Sequence, residues 1–202
     1  MMPGDRSALL IVDVQNDFCP GGALAVENGD RVVAPLSNLA RQFEPRGLPV
    51  FASRDWHPSD SRHFRAGGGT WPVHCVAGSA GAAFHPGLEL PPGAKVLSKG
   101  TGREQDGYSV FDEGLTDART TLAEELRRSG ISKIYVGGLA TDYCVRGAVL
   151  GGLREGFEVA VLTDAIAAVD VNPGDGNRAL EEMRQAGATF TTTAAVAETF
   201  AA

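Results

Sequence analysis

Cys144 stands in the segment GGLATDYCVRG, at the predicted start of a helix. We expect Thr141 or Asp142 to cap this helix with its side chain. A thiol in a first helical turn lies near the positive end of the helix dipole, which should lower its pKa and favour the nucleophilic thiolate. Backbone N–H groups there can also bind an oxyanion. Cys144 is therefore a candidate nucleophile, although it could also simply pack the helix against a sheet, as we expect for Cys19 and Cys75.

Two charged residues are candidate partners of this thiol. Asp13 ends the apolar stretch ALLIVDV, where a carboxylate is costly unless it has a partner or a function. It could act as a general base for the thiol, or its side chain could hold a loop in place. Lys99 follows another predicted strand and would favour the charged forms of both acidic groups, although an isolated lysine is more often a surface residue. No histidine belongs to this group, which distinguishes it from a papain-like Cys-His pair.

Histidines are concentrated in one segment, in the motifs DWHPSDSRHF and WPVHC. Nitrogen and carboxylate donors of this kind suit Zn, Fe or Mn better than they suit a thiolate-rich structural site. The spacing matches neither a zinc finger nor HExxH. The sequence predicts one divalent metal ion, and the predicted ligands are Asp55, His57, His63 and His74. His85 lies outside this group, and we expect it to have a structural role in its loop.

Short apolar stretches alternate with stretches of helical periodicity along the chain. The predicted strands are residues 8–14, 49–53, 94–98, 134–137, 159–162 and 188–191. The predicted helices are residues 30–43, 116–129, 142–155 and 177–186. This alternation predicts an α/β fold in a single domain over residues 1–202, with a six-stranded, mainly parallel sheet and helices on both faces. The reactive groups that follow the strands should then meet at the carboxyl edge of the sheet.

The composition excludes several classes of protein. The chain has 202 residues and a net charge of -7 without a basic run, which disfavours binding to nucleic acid or to an anionic membrane. No stretch approaches the ~20 apolar residues of a membrane span. Three cysteines without a CxxC motif predict a cytoplasmic protein without a disulfide framework. The long connection over residues 54–93 has no clear helix and contains all the histidines, so we expect it to be functional.

The motifs resemble those of one known group of enzymes. DVQNDF, DWHP, WPVHC, the Lys99 segment and GGLATDYCVRGA occur in this order between residues 8 and 190. Together they resemble the nicotinamidase/pyrazinamidase group of the isochorismatase-like cysteine hydrolases. The resemblance implies a six-stranded parallel sheet and a metal-dependent amidohydrolase that converts nicotinamide, and also pyrazinamide, to the acid and ammonia in NAD salvage. Whether the protein forms a homo-oligomer stays open.

The resemblance also implies roles for individual residues. Cys144 would be the nucleophile that forms a thioester, Asp13 the proton shuttle and Lys99 their electrostatic partner. A cis peptide would precede Ala140, and the amides of Ala140 and Cys144 would form the oxyanion hole. Asp55, His57 and His74 match metal positions, and His63 suggests a fourth ligand.

The substrate pocket implied by the resemblance is mainly aromatic. Its predicted lining residues are Phe18, Trp71, Tyr108, Leu139 and Ala140. Tyr143 stands where some relatives have histidine. Core packing is the alternative role of Phe18. Two other functions stay open at this point, namely another amidase or ureidase of the same superfamily and a non-catalytic protein that binds a metal or a ligand.

Overall fold

The computed structural model describes residues 6–200, so the ends of the predicted domain, residues 1–5 and 201–202, lie outside the described part. Within it, six strands form one sheet in the order β3-β2-β1-β4-β5-β6, and every neighbouring pair is parallel. The strands are β1 Ser7–Val12, β2 Val50–Asp55, β3 Lys95–Lys99, β4 Lys133–Leu139, β5 Glu158–Ala167 and β6 Thr189–Thr191. The predicted α/β fold is confirmed.

Helices cover both faces of the sheet. They are α1 Val33–Phe43, α2 Val110–Glu113, α3 Leu122–Arg128, α4 Arg146–Arg154, α5 Asp175–Gln185 and α6 Thr193–Thr199. Helices α1 and α6 pack on one face, whereas α2 to α5 pack on the other. The central strand β1 is buried along its whole length, with Leu9 and Ile11 facing one core and Leu10 and Val12 the other. Its continuous apolar sequence follows from this two-sided burial.

The predicted helix over residues 116–129 is wrong in its first half, because α3 begins only at Leu122. Thr116 and Thr120 hydrogen-bond to each other through their side chains at 2.7 Å and close a turn instead. Short hydroxyl side chains compete with helical hydrogen bonding in this way. The helix then begins with a capping box, in which the side chains of Thr121 and Glu124 each accept the other's backbone N–H. The short helices α2 and α6 were not predicted.

The strand order places the carboxyl ends of β1 and β4 side by side in the middle of the sheet. The chain leaves β1 toward one edge and returns through β4 toward the other, so a crevice opens between these two strand ends. No helix in residues 6–200 is both long and apolar enough to cross a membrane.

Candidate active site

Four reactive side chains meet at the carboxyl edge of the sheet, as the sequence predicts. Asp13 directly follows β1, Asp55 is the last residue of β2, and Lys99 is the last residue of β3. The register pairs Asp55 with Lys99 on neighbouring strands. Cys144 lies in the helical turn Thr141–Val145 that follows β4. The parallel sheet alone therefore brings together groups that are far apart in the sequence.

Lys99 is the centre of this group, which we call the lysine cluster (Asp13, Asp55, Lys99 and Cys144). Its Nζ lies 2.7 Å from Asp13 Oδ2, 2.5 Å from Asp55 Oδ1 and 3.4 Å from Cys144 Sγ. It also donates to the carbonyl oxygen of Gly107. The side chains of Lys99 and Asp13 are 0% exposed, and that of Asp55 is 4% exposed. An ammonium group buried this deeply requires such partners, so the alternative of a surface lysine is wrong.

Burial and the attraction between opposite charges shift the pKa values of the lysine cluster in opposite directions. Burial alone would lower the pKa of Lys99, but Asp13 and Asp55 outweigh it and raise that pKa well above its usual value. Burial alone would raise the pKa of Asp55, but Lys99 and His57 hold it well below the usual range. The pKa of Asp13 is raised, because burial and Asp55 together outweigh the attraction of Lys99. Asp13 is therefore the more basic of the two carboxylates.

The environment of Cys144 differs from the sequence-based expectation in two ways. The turn Thr141–Val145 is π-helical, Ala140 is its N-cap, and no side chain caps it. The carboxylate of Asp142 instead accepts the backbone N–H groups of Val169 and Asp170, so the predicted cap is wrong. The pKa of the Cys144 thiol is raised well above its usual value rather than lowered, because burial and the nearby carboxylates outweigh Lys99. The thiol thus needs a base when it reacts.

The three histidines of the predicted metal site lie together beside the lysine cluster, and we call them the histidine cluster (His57, His63 and His74). One ligand atom from each lies within 4.8 Å of the other two. Each Nδ1 already contacts an oxygen acceptor. The acceptors are the Gly100 carbonyl for His57 at 3.0 Å, Asp106 Oδ1 for His63 at 3.2 Å and the Pro72 carbonyl for His74 at 2.8 Å. A ring that donates from Nδ1 offers the lone pair of Nε2 to a metal ion.

These residues fit a divalent cation. His57 is completely buried, and within residues 6–200 its Nε2 has no hydrogen-bond partner. The same atom lies 3.7 Å from Asp55 Oδ2, so a carboxylate oxygen faces the imidazole nitrogens. Burial lowers the pKa of His63, and it lowers that of His74 to about 4, so both rings are in the neutral form that binds metal. An unsatisfied buried nitrogen beside neutral imidazoles and a carboxylate is the donor set of a zinc-type site.

A second group of close donors consists of Asp13, Asp55 and Cys144. The Lys99 ammonium already lies among these three residues and neutralises their charge. A divalent cation at that position would be repelled by Lys99. We therefore assign the metal-type character to the histidine cluster with Asp55. His85 is not part of either cluster, and its Nδ1 accepts the backbone N–H of Gly87.

A cavity opens between the two clusters. Its lining residues include Phe18, Leu24, Asp55, His63, Trp71, His74, Asp106, Tyr108, Ala140, Tyr143, Cys144 and Val169. Trp71 Nε1 donates to the Tyr108 hydroxyl at 2.9 Å. Tyr143 stacks on Tyr108 and contacts Trp71 edge-on, with ring centroids 5.8 Å and 4.9 Å apart. The resulting aromatic walls suit a flat ring whose polar ends reach the two clusters.

The structure places two of the predicted pocket residues, Leu139 and Phe18, in the hydrophobic core. Leu139, the last residue of β4, is fully buried in the core and is not among the residues that line the cavity. Its peptide bond to Ala140 is cis, as the resemblance implies. Phe18 combines both of its expected roles, since it packs in the core and also lines the cavity.

Some supporting residues were missed by the sequence analysis. Ser53 donates to Asp13 Oδ1 at 2.7 Å, and its carbonyl accepts the Asp13 N–H at 3.1 Å. The buried side chain of Gln15 bonds both the N–H and the carbonyl of Asp55, each at 2.8 Å. Gln15 is part of the motif DVQNDF, so its position beside Asp13 was a usable signal. The role of Ser53 depends on strand register and had no local signal.

The sequence and the fold of this chain match proteins of one family. The isochorismatase domain model matches residues 7–195. A nicotinamidase from Escherichia coli (strain K12) is 42% identical over 207 residues, which cover 95% of this chain and 97% of that protein. A pyrazinamidase from Pyrococcus horikoshii, solved in complex with zinc, is 42% identical with a TM-score of 0.85, over 93% of this chain and 99% of that one. PnC1 from L. infantum, solved in complex with nicotinate, is 34% identical with a TM-score of 0.82, over 94% of this chain and 93% of that one. This chain therefore belongs to the isochorismatase domain family.

Proposed function

We propose that this protein is a metal-dependent nicotinamidase that hydrolyses nicotinamide to nicotinate and ammonia and also accepts pyrazinamide. The observation that carries the proposal is the cavity, in which Cys144 and the metal-type donors His63, His74 and Asp55 line one small aromatic space. A pyridine carboxamide carries a ring nitrogen and a carboxamide group on one flat ring. Its amide would meet the lysine cluster while its ring nitrogen faces the histidine cluster. The similarity to a nicotinamidase and to a zinc-containing pyrazinamidase supports the same assignment.

The first half of the reaction is acyl transfer to the thiol. Asp13 accepts the proton of Cys144 as Sγ attacks the carboxamide carbon, which removes the need for a preformed thiolate. The raised pKa of Asp13, caused first by its burial, makes it an adequate base for this transfer. The amides of Ala140 and Cys144 stabilise the negative oxygen of the tetrahedral intermediate. Asp13 then gives the proton to the leaving nitrogen, the C–N bond breaks, and ammonia leaves a thioester on Cys144.

The second half returns the enzyme to its starting state. Asp13 takes a proton from a water molecule as the water oxygen attacks the thioester carbon. The C–S bond breaks, nicotinate is released, and the proton on Asp13 returns to the Cys144 sulfur. Lys99 keeps its charge throughout, because its buried position between two carboxylates favours the ammonium form. It therefore compensates the negative charge that moves between carboxylate and sulfur.

Asp55, His57, His63 and His74 would hold one divalent ion, for which zinc, iron and manganese all suit the donors. When bound, this ion supplies a Lewis-acidic position for the pyridine nitrogen and so orients the ring. Asp55 also contacts Lys99 at 2.5 Å, so the side chain that faces the histidines is held by the lysine cluster. Trp71 and Tyr108, joined by their hydrogen bond, hold the ring plane between them and the thiol.

An ammonia assay tests the proposal. Purified protein loaded with zinc should release ammonia and nicotinate from nicotinamide in equal amounts, and a chelator should lower the rate. Cys144→Ala should abolish the reaction, whereas Cys19→Ala serves as the matched control. No ammonia from nicotinamide with zinc-loaded protein, but ammonia from other amides or ureides, would favour another amidase of the superfamily. Nicotinamide binding without any turnover would favour a non-catalytic binding protein.

We also infer a cytoplasmic location and a place in NAD salvage. Two observations support the cytoplasmic location. The sequence has no CxxC motif, and its three cysteines are all free and buried, as suits a reducing compartment. The release of nicotinate, a pyridine that nucleotide synthesis can reuse, supports the place in NAD salvage. Fractionation of cells and growth on nicotinamide as the sole pyridine source would test both.

A further inference from the structure

Two glycines behind the active site face each other across a short loop. Gly100 directly follows Lys99, and Gly107 ends the loop, with positive φ angles of 62° and 77°. A Cβ on Gly100 would lie 2.5 Å from Cε1 of His57 and 3.4 Å from the Cα of Gly107. A Cβ on Gly107 would lie 3.0 Å from Asp55 Oδ1. Only glycine allows the backbone to approach the site this closely.

The carbonyl groups of these two glycines each hold one reactive side chain. The Gly107 carbonyl accepts a hydrogen bond from Nζ of Lys99, in the lysine cluster. The Gly100 carbonyl accepts the N–H of His57 Nδ1 at 3.0 Å, in the histidine cluster. The loop backbone therefore orients both the cation beside the thiol and one of the metal-type imidazoles. Its own position must be fixed for either contact to be maintained.

The side chain of Glu113 holds the backbone of this loop in place. Its Oε2 accepts the backbone N–H of Gly107 at 3.0 Å, and the nearby backbone of Gly100 favours the charged form of the same carboxylate, which lowers its pKa against the effect of burial. Glu113 is the last residue of α2, and the N-cap of this helix is Ser109, whose side chain accepts the Phe111 N–H at 3.2 Å. The neighbouring Asp112 points to the surface instead, where it pairs with Arg154 and is 55% exposed. The carboxylate of Glu113 is thus the acidic group of α2 that faces the two glycines.

We propose that Glu113 is a positioning residue that joins the two halves of the active site through the backbones of Gly100 and Gly107. The proposal rests on the function proposed above and deepens it. Glu113 contacts neither the thiol nor the cavity. It acts by holding the glycine carbonyl that orients Lys99 and the glycine carbonyl that orients His57. One substitution at this position should therefore weaken thiol reactivity and metal binding together.

Glu113→Gln and Glu113→Ala are the informative variants. A carboxylate offers two acceptor oxygens to the backbones of Gly107 and Gly100, whereas glutamine offers one acceptor oxygen and an NH2 group that cannot accept. Alanine offers none. Removal of a group that hydrogen-bonds directly to a metal ligand costs about 10- to 100-fold in activity or metal affinity. Glu113 acts one contact further away, so we expect a loss of about tenfold in Glu113→Ala and of at least about threefold in Glu113→Gln. Asp112→Asn is the matched control and should stay within twofold of wild type.

Three measurements separate positioning from general stability. Zinc affinity, measured by competition with a chelator, reports on His57. The rate at which iodoacetamide alkylates Cys144 in metal-free protein, followed by mass spectrometry, reports on the lysine cluster. Steady-state kinetics with nicotinamide divide the effect between kcat and KM, and we expect both to change. Thermal unfolding checks that each variant is folded.

The first two measurements do not require nicotinamide turnover, so they test Glu113 even if the proposed function fails. Reduced zinc affinity together with slower alkylation in Glu113→Gln supports the proposal. Values within twofold of wild type for both quantities in Glu113→Gln would overturn it. An equal loss in Asp112→Asn would also overturn it, because the effect would then belong to the acidity of α2 as a whole. If Glu113→Ala does not fold, Glu113→Gln decides by the same criteria.

Discussion

Replacing Lys99 by methionine should destabilise the fold as well as abolish activity. Lys99 Nζ lies 2.7 Å from Asp13 and 2.5 Å from Asp55, all within the buried site. At an effective dielectric constant of about 20, each contact is worth about 6 kcal/mol of Coulomb attraction. The desolvation of three charges opposes this gain, so the net loss on removing one partner from a buried ion cluster is about 3–5 kcal/mol. We expect Lys99→Met to lower the free energy of unfolding by this amount near neutral pH.

The pH dependence of this loss has a definite sign. In the wild type, Lys99 helps to hold the pKa of Asp55 well below its usual range. The charged carboxylate of Asp55 therefore stabilises the fold at every pH above the pKa that Asp55 has in the unfolded chain. Without Lys99, burial raises the pKa of both carboxylates, and their charged forms then destabilise the fold until they are protonated. The stability gap between Lys99→Met and wild type should therefore shrink as the pH falls from about 8 to about 5. Urea unfolding of metal-free protein at several pH values measures this gap.

Lys95→Met is the matched control, because Lys95 begins the same strand that Lys99 ends. Lys95 pairs with Glu125, and the Lys95 side chain is 46% exposed whereas that of Glu125 is 4% exposed. Arg128 and Thr120 still contact Glu125 when Lys95 is replaced, so we expect a smaller loss of about 1 kcal/mol. A loss below about 1 kcal/mol in Lys99→Met would refute the buried-cluster reasoning, and so would a gap that widens toward acidic pH. The double variant Lys99→Met/Asp13→Asn should recover part of the stability, since it removes one uncompensated charge.

Three further variants test the assigned roles. Cys144→Ala should lower kcat by more than about a thousandfold while zinc content stays unchanged, as measured by ammonia release and elemental analysis; a rate above a tenth of wild type would exclude Cys144 as the nucleophile. Asp13→Asn should lower kcat nearly as much with little change in the Kd of nicotinamide, measured by calorimetry; equal alkylation rates of Cys144 in Asp13→Asn and wild type would contradict its role as base. His74→Ala should lose bound zinc and raise KM strongly, whereas His85→Ala should keep its zinc; full occupancy in His74→Ala would exclude the site as assigned.

The sheet and the meeting of the reactive groups were predictable because their signals are local. The continuous apolar stretch of β1 follows from burial on both faces, and a reactive residue directly after such a strand must lie at the carboxyl edge. This reasoning needs no knowledge of which strands are neighbours. It locates Asp13, Asp55 and Lys99 at the site before any contact is known.

The contacts that depend on distant parts of the chain were not predictable in this way. Ser53 reaches Asp13 only through the register of β1 and β2, and Glu113 reaches Gly107 only because the loop turns back on itself. The pKa of Cys144 shows the same limit. The local turn alone would lower the pKa of this thiol through the helix dipole, whereas burial and two carboxylates from other strands raise it. Local sequence therefore identifies the reacting groups, and tertiary packing sets their protonation.

Asp55 explains why the two clusters form one site rather than two. One of its oxygens contacts Lys99 at 2.5 Å, and the other faces Nε2 of His57 at 3.7 Å. Gln15 fixes its backbone from the loop that follows Asp13. A change of charge in the lysine cluster therefore alters the electrostatic environment of the histidine cluster, and the reverse holds as well, because the same buried carboxylate contacts both. Asp55 would help to hold a cation together with the histidines while it stays paired with Lys99, so that one side chain contributes both to the placement of the ring and to the charge balance beside the thiol.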